Sequence, residues 1–350
     1  MADAETLSEE YSKQLLPNTI VQLIAATFGI LGNCLVILMY TKYVKDKMGS
    51  RYFIPVLAVV DLVGSVSNAT QFHLDNTMRY IYPDVFLCKM MSFLIVFTGG
   101  FSAHLILAIA LQRYLIICRP FGQQMTQKLC RIAVLIIFLI SVGYASPILK
   151  FNGIYKLRSL NTTGNYNISF CHIDDGTDSF NVMIPYLGFL LFLSLINIFI
   201  TFIFYVPVTK TIYDRLSPAR RNRAKNVPDG KIVSKETQMS DDGKNITKPK
   251  LQANDESMVN GSPEQKARKN ISVMFLVIII VYIVSYLTSL VTQIHSFAST
   301  EERKGYIRNI YFFCLRFNLL NHIANPYIYW FYDLKFRNEL RRICCRSFRR

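Results

Sequence analysis

The sequence predicts an all-α membrane protein: a bundle of seven transmembrane helices followed by a short amphipathic helix. Three observations carry this expectation. Seven apolar runs are each long enough to cross a bilayer, the segments between them divide positive charge unequally, and charged residues make up only 18% of the 350 residues. A soluble domain carries about a quarter. Apolar residues reach 51%, and mean hydropathy is +0.26. Twelve Pro and 16 Gly are too few for a collagen-like or low-complexity chain, and eight Cys are too few for a disulfide scaffold.

A bilayer core about 30 Å thick takes roughly 20 helical residues to cross. The candidate spans are 20–40, 52–74, 89–117, 130–149, 181–207, 271–297 and 307–331. The first follows a polar start containing Asp3, Glu5, Glu9 and Glu10. That start lacks the basic residues and small-residue cleavage site of a signal peptide, so the segment reads as an uncleaved anchor. Segments 41–51, 113–131, 209–270 and 333–350 carry net charges of +3, +4, +6 and +5. The opposite face carries −3 at the N-terminus, zero in 75–89 and 150–180, and +1 in 298–308. Positive charge marks the cytoplasmic side. The N-terminus is therefore expected outside a plasma membrane and the C-terminus inside. The net charge of +16 then faces anionic lipid and cytoplasmic partners rather than nucleic acid. The expected division is an extracellular segment 1–19, a bundle 20–332 and a tail 333–350. Loop 209–270 is polar, contains Pro218, Pro228, Pro249 and Pro263, and has too little apolar content to fold alone.

Polar groups inside spans are costly and mark candidate sites. Asp61 lies mid-span in LAVVDL, Asn33 in GILGNCL, and Ser102 after Gly99-Gly100. Asn321 and Asn325 fall one helical turn apart in NHIANPYIY and share a face. A lone carboxylate facing amide and hydroxyl oxygens suits a small cation or a proton. Pro326 removes one backbone hydrogen bond from the seventh span, which leaves Tyr329 free to change position at its cytoplasmic end. Cys88 and Cys171 both lie in the outer, oxidising compartment, which predicts a disulfide between them. Asn161-Thr-Thr and Asn167-Ile-Ser are glycosylation acceptors on the outer side. Cys344 and Cys345 follow the amphipathic stretch DLKFRNELRRI, where palmitoylation is expected.

Taken in order, these features resemble the rhodopsin-like (class A) G-protein-coupled receptors, over about residues 20–345. The resemblance rests on Gly32-Asn33, LAVVD ending at Asp61, Cys88 with Arg113 25 residues later, Arg113-Tyr114, Cys171, Tyr205, Asn325-Pro326 and Tyr329. It implies a sodium pocket at Asp61, Ser102, Asn321 and Asn325, with Asn33 beside it. It also implies an activation switch made of Arg113, Tyr114, Tyr205, Pro326 and Tyr329, a heterotrimeric G protein as partner, and no enzymatic activity. Arrestin is the further partner, through phosphorylated loop 209–270. The chain departs from the family pattern in several places. Gln112 stands where an acid precedes the Arg, Asn197 and Thr288 replace prolines, and Tyr282 and Tyr286 replace Phe and Trp. Straighter fifth and sixth helices are expected.

A retinal ligand would need a Schiff-base Lys in the seventh span, where the matching position is Leu319. An amine ligand would need an acid where Ile95 stands. What remains is most readily a peptide, with a lipid or other small molecule as the alternative. An ion-coupled transporter is the competing class, and the sequence shows no inverted repeat to support it. Residues 162–173 alternate like a hairpin strand. The expected ligand pocket comprises Gln71, His73, Ser92, Phe189, Gln293, Tyr311 and Arg316. Arg316 is expected either to pair with Asp75 or to meet an anionic group of a ligand.

Overall fold

Helix α1 (Ala4–Leu38) begins well before the first apolar run and passes through Pro17 without a break. Its polar start is therefore helical. Ser8, Tyr11 and Leu15 are buried there, and Ser8 Oγ donates to the Thr77 carbonyl. These contacts come from a computed structural model that describes residues 4–44, 49, 51–161, 164–173, 177–216, 263–298 and 305–347. A π-helical turn, Met39–Tyr43, ends the first span.

Each following helix starts where the sequence offers a cap or an apolar run. Helix α2 covers Phe53–Thr77. Asp84 caps α3 (Val85–Cys118) by accepting from the Leu87 amide, and Thr126 caps α4 (Gln127–Ala145) by accepting from Leu129. Such caps satisfy amides left without partners in the first turn. A single turn, α5 (Ile148–Phe151), leads into strands β1 (Asn152–Asn161) and β2 (Gly164–Ile173), an antiparallel hairpin in which Ile154 faces Cys171. Helix α6 (Thr177–Leu216) and helix α7 (Pro263–Ala298) are each continuous. Residues 217–262 of the long loop lie outside the described residues.

Among the described residues six helical stretches are long and apolar enough to cross a membrane. The seventh span is divided between α8 (Gly305–Leu315) and α9 (Leu319–Tyr332). Between them the amides of Phe317, Leu319, Leu320 and Asn321 each bond a carbonyl three residues back. This is a tighter 3₁₀-like turn. It places the break ahead of Asn321, whereas Pro326 sits inside continuous α9. Pro326 packs instead against α1, because a side chain at Gly32 would come within 2.9 Å of its ring. Small residues let helices approach closely in lipid. Exposed apolar side chains such as Leu135, Leu139, Phe192, Phe199 and Phe202 cover the outside of α4 and α6, as lipid contact requires. The main apolar cluster of the interior includes Ile54, Leu57, Leu105, Met274, Phe275 and Tyr329, and two small clusters, around Tyr82 and around Tyr186, lie apart from it.

Helix α10 (Leu334–Ser347) turns away from α9 at Asp333. The Asp333 carboxylate accepts from the amides of Lys335 and Phe336, from Arg51 Nε at 2.7 Å and from the Tyr40 hydroxyl at 2.7 Å. Phe336 stacks on Tyr40. One carboxylate thus joins the turn between the first two spans, the end of α9 and the start of α10. Removing it breaks a buried ion pair, a change that typically costs 3–5 kcal/mol. Asp333→Ala is expected to lower the thermal midpoint of the purified protein markedly, and Arg51→Ala by a comparable amount. A fluorescence melting curve checks both.

Candidate functional site

Asp61 lies in the middle of α2 and has no solvent exposure. Its Oδ1 is 2.9 Å from His322 Nδ1 and accepts from Ser102 Oγ at 3.4 Å. Its Oδ2 accepts from Asn325 Nδ2 at 2.6 Å. Asn321 Nδ2 donates to Ser102 Oγ at 3.1 Å, and Asn33 Nδ2 to the His322 carbonyl at 2.8 Å. The structure therefore brings Asp61, Ser102, Asn321, Asn325 and Asn33 together in one polar core shared by α1, α2, α3 and α9. His322 is the member that sequence reasoning missed. The rule that singled out Asp61 and Arg316, an ionisable side chain in mid-span, applies equally to it.

The donor set bears on the expected sodium ion. Sodium needs oxygen ligands, yet Asp61 Oδ2 accepts from the Asn325 amide and Oδ1 lies against the His322 imidazole, both on α9. The side-chain oxygens of Asn33, Asn321 and Ser65 have no partner among the described residues. The neutral half of an oxygen shell is present, and the anionic half is already occupied.

Arg316 occupies the break between α8 and α9 and is buried. Its Nη1 donates to the amide oxygens of Asn76, Asn18 and Gln22 at 2.8, 3.2 and 3.3 Å. Its guanidinium lies 4.7 Å from the Phe72 ring centre and 4.9 Å from that of Phe312. Hydrogen bonds to amides and stacking between rings thus hold it, while Asp75 acts on it only through its field. The expected direct pair with Asp75 is corrected accordingly: Asp75 instead accepts from Gln71 Nε2 at 3.0 Å.

The other expected pocket residues do not converge. Gln71 is buried and also accepts from the Tyr82 hydroxyl, whose pKa burial pushes up. Phe189, Gln293 and His73 are exposed, while Ser92 and Tyr311 are partly buried. A groove of about 890 Å³ lies between α1, α7 and α9, lined by Phe28, Val281, Ile323, Tyr327 and Phe331 among others. It contains none of the expected residues, and its apolar lining suits lipid.

At the hairpin end of the bundle Cys88 and Cys171 form a disulfide. The hairpin is also tied to the segment after α2, through Tyr82 N to Ser169 O and Ser169 N to Tyr80 O, both 2.9 Å. Asn161 and Asn167 lie on this hairpin, and their side chains are outside the described set. At the opposite end of the bundle Arg113 is buried, donates to Gln112 Oε1 at 2.9 Å and stacks 4.6 Å from the Phe275 ring centre. Gln112 Nε2 in turn donates to the Gly49 carbonyl. Tyr114 packs against Phe204. The Tyr205 hydroxyl donates to the Ser272 carbonyl at 2.6 Å, bridging α6 and α7. Tyr329 is fully buried and meets Tyr40 edge-on. Where the family pattern has Pro and Trp, polar contacts join α6 to α7: Tyr282 to Asn197 and Ser194 to Tyr286. Cys344 and Cys345 are exposed on α10.

A helical bundle with a hairpin-covered outer face and a buried Arg at its inner end has the organisation of a seven-helix receptor. The family model described as "7 transmembrane receptor (rhodopsin family)" matches residues 32–329, and the chain belongs to that family, a family of signalling receptors. Over 146 residues it is 29% identical to parapinopsin of Ictalurus punctatus, covering 41% of this chain and 42% of that protein. Over 333 residues it is 22% identical to somatostatin receptor type 5 of Rattus norvegicus, covering 93% and 77%. Over 149 residues it is 28% identical to neuromedin U receptor homolog nmur-2 of Caenorhabditis elegans, covering 41% and 36%. The match thus spans less than half the length of parapinopsin and nmur-2.

The Arg316 geometry has a direct consequence. Lys would keep the charge but lose the planar fork and the stacking, leaving amide oxygens of Asn18, Gln22 and Asn76 underused at about 1–3 kcal/mol. Arg316→Lys is expected to lower thermal stability nearly as much as Arg316→Ala. A melting comparison in which Lys behaves like the parent protein would show that charge alone matters there.

Proposed function

We propose that this receptor binds an extracellular peptide and passes the event to a heterotrimeric G protein at the cytoplasmic face of the plasma membrane. The hairpin β1–β2 carries the reading. It lines the outer mouth as a rigid, doubly tethered edge, held by the Cys88–Cys171 disulfide and by pairing at Ser169, and it leaves backbone groups on which an extended peptide can pair. The similarity to a somatostatin receptor along 93% of the chain supports the same reading. The similarity to parapinopsin does not bring retinal with it, because residues 307–331 contain no Lys for a Schiff base.

On this reading Arg113, Tyr114, Tyr205, Pro326 and Tyr329 form the switch that opens a cytoplasmic crevice. Arrestin reads phosphates on loop 209–270, Cys344 and Cys345 carry palmitate, and Asn161 and Asn167 carry glycans. Gln71, Ser92, Tyr311 and Arg316 support the ligand site from below; Phe189 and Gln293 act only at its rim. The experiment is to express the chain with a panel of G-protein sensors and challenge it with peptide and lipid libraries. A peptide response that is lost in Cys171→Ala is expected. A response confined to lipids would replace the peptide reading, and ion flux without any sensor response would point to a transporter.

Resting activity follows from Gln112. In the closed state this neutral amide accepts from Arg113, and a neutral acceptor holds a guanidinium about half as strongly as a carboxylate does. A deficit of about 1 kcal/mol raises the open fraction roughly fivefold, from about 1% to about 5% if the open state starts there. Agonist-free signalling is therefore expected, and Gln112→Glu is expected to reduce it about fivefold. Equal, flat baselines across an expression titration would contradict this.

A further inference from the structure

Rhodopsin-family receptors are expected to carry a cation at the Asp61 position, and this chain builds most of such a site. It also fills that site. His322 Nδ1 lies 2.9 Å from Asp61 Oδ1, and Asn325 Nδ2 lies 2.6 Å from Oδ2. An N–H donor and a metal ion compete for the same carboxylate lone pairs. Asn325 is a short amide that can rotate to present its oxygen; the His322 ring has no such freedom. It is 2% exposed, its own carbonyl is held by Asn33 Nδ2 at 2.8 Å, and it fills a slot opened by Gly64 one turn along α2 from Asp61. A Cβ on Gly64 would come within 2.8 Å of His322 Cε1 and 2.9 Å of Nδ1. Two independent features of the sequence, a ring on α9 and a missing side chain on α2, therefore place imidazole against the carboxylate. The leftover oxygens of Asn33, Asn321 and Ser65 are those that would complete a sodium shell if the ring were absent.

We infer that His322 takes the cation's seat on Asp61: a fixed side chain replaces an exchangeable ion, so the bundle does not take up sodium. A single change to a small oxygen-bearing residue, His322→Ser, creates the sodium site. In a sodium-binding bundle the ion can leave while the helices stay in place. Here the link between α2 and α9 breaks only when α9 itself moves, which makes the inner half of the seventh span the element that carries the switch. The inference rests on the receptor reading only for that last consequence. The test uses neither ligand nor G protein, so its failure is separate from failure of the receptor reading.

The test is thermal unfolding of the purified full chain in sodium chloride against choline chloride at matched ionic strength. A ligand that binds only the folded state raises the midpoint in proportion to the logarithm of its concentration above Kd. The parent protein is expected to melt identically in both salts. His322→Ser is expected to gain a saturable, sodium-specific rise of several degrees, and Asp61→Asn in the same background is expected to abolish it. If serine does not yield folded protein, His322→Thr and His322→Asn present an oxygen at the same place and carry the same comparison. A sodium-specific rise in the parent that Asp61→Asn removes would overturn the inference. So would the absence of any sodium response in all three His322 variants, since the ring would then not be what keeps the ion out.

Discussion

A carboxylate with no exposure in the middle of a lipid-embedded bundle stands only if its oxygens are met, and the arrangement of this protein follows from meeting them at Asp61. Helix α2 supplies the charge. Helix α9 supplies His322 and Asn325, and α3 supplies Ser102. Helix α1 joins through Asn33, which bonds the backbone of His322 itself. Four of the seven spans are thereby registered to one another at one depth. In lipid, where apolar burial between helices gives no net drive, such polar contacts and close packing are what hold spans together. The close approach of α1 to α9 at Gly29 and Gly32 is the packing counterpart of the same registration.

Two further polar clusters repeat the theme at the ends of the seventh span. At the outer end Arg316 sits in the break between α8 and α9 and gathers amide oxygens from α1 and α2. At the inner end Asp333 gathers Arg51, Tyr40 and the first amides of α10. The seventh span is thus fastened at three depths, each time to α1 or α2. Helix α7 meets it through apolar contacts and through Ser289, whose hydroxyl bonds the Cys314 carbonyl and accepts from the Asn318 amide, and α6 and α7 join each other through Tyr205, Tyr282 and Tyr286. A motion that separates α6 and α7 from the rest breaks fewer polar contacts than one that moves α9. The bundle therefore has a stiff half and a looser half, with Arg113 and Phe275 at the seam.

Much of this was legible in the residues because a membrane imposes strict length and charge rules. Seven apolar runs and the asymmetric Lys/Arg count gave the bundle its expected shape. Asp61, Asn321 and Asn325 were visible because polar atoms in mid-span stand out against lipid-compatible neighbours. Three things were not visible. The helical start of the chain from Ala4 depends on tertiary burial of Tyr11 and Leu15, which a polar composition hides. The seventh span breaks at Arg316 rather than at Pro326 because Pro326 packs into the space at Gly32, a contact 294 positions away in the chain. The role of His322 depends on Gly64: an ionisable side chain in mid-span stands out alone, but the space beside Asp61 that a missing side chain on α2 leaves for its imidazole does not. The ligand residues were legible only as candidates for a related reason: placement in the outer half of a span does not determine which side of the helix faces inward.

The claim that the Asp61–His322 contact registers the bundle is tested most directly by a double-mutant cycle on thermal stability, using Asp61→Asn, His322→Asn and the pair together. Residues in direct contact couple by about 0.5–3 kcal/mol, whereas independent sites add within about 0.5 kcal/mol. The account predicts coupling at the upper end of that range, with the double variant more stable than the sum of the single losses implies. Additive losses would contradict it, because the two side chains would then stabilise the bundle separately.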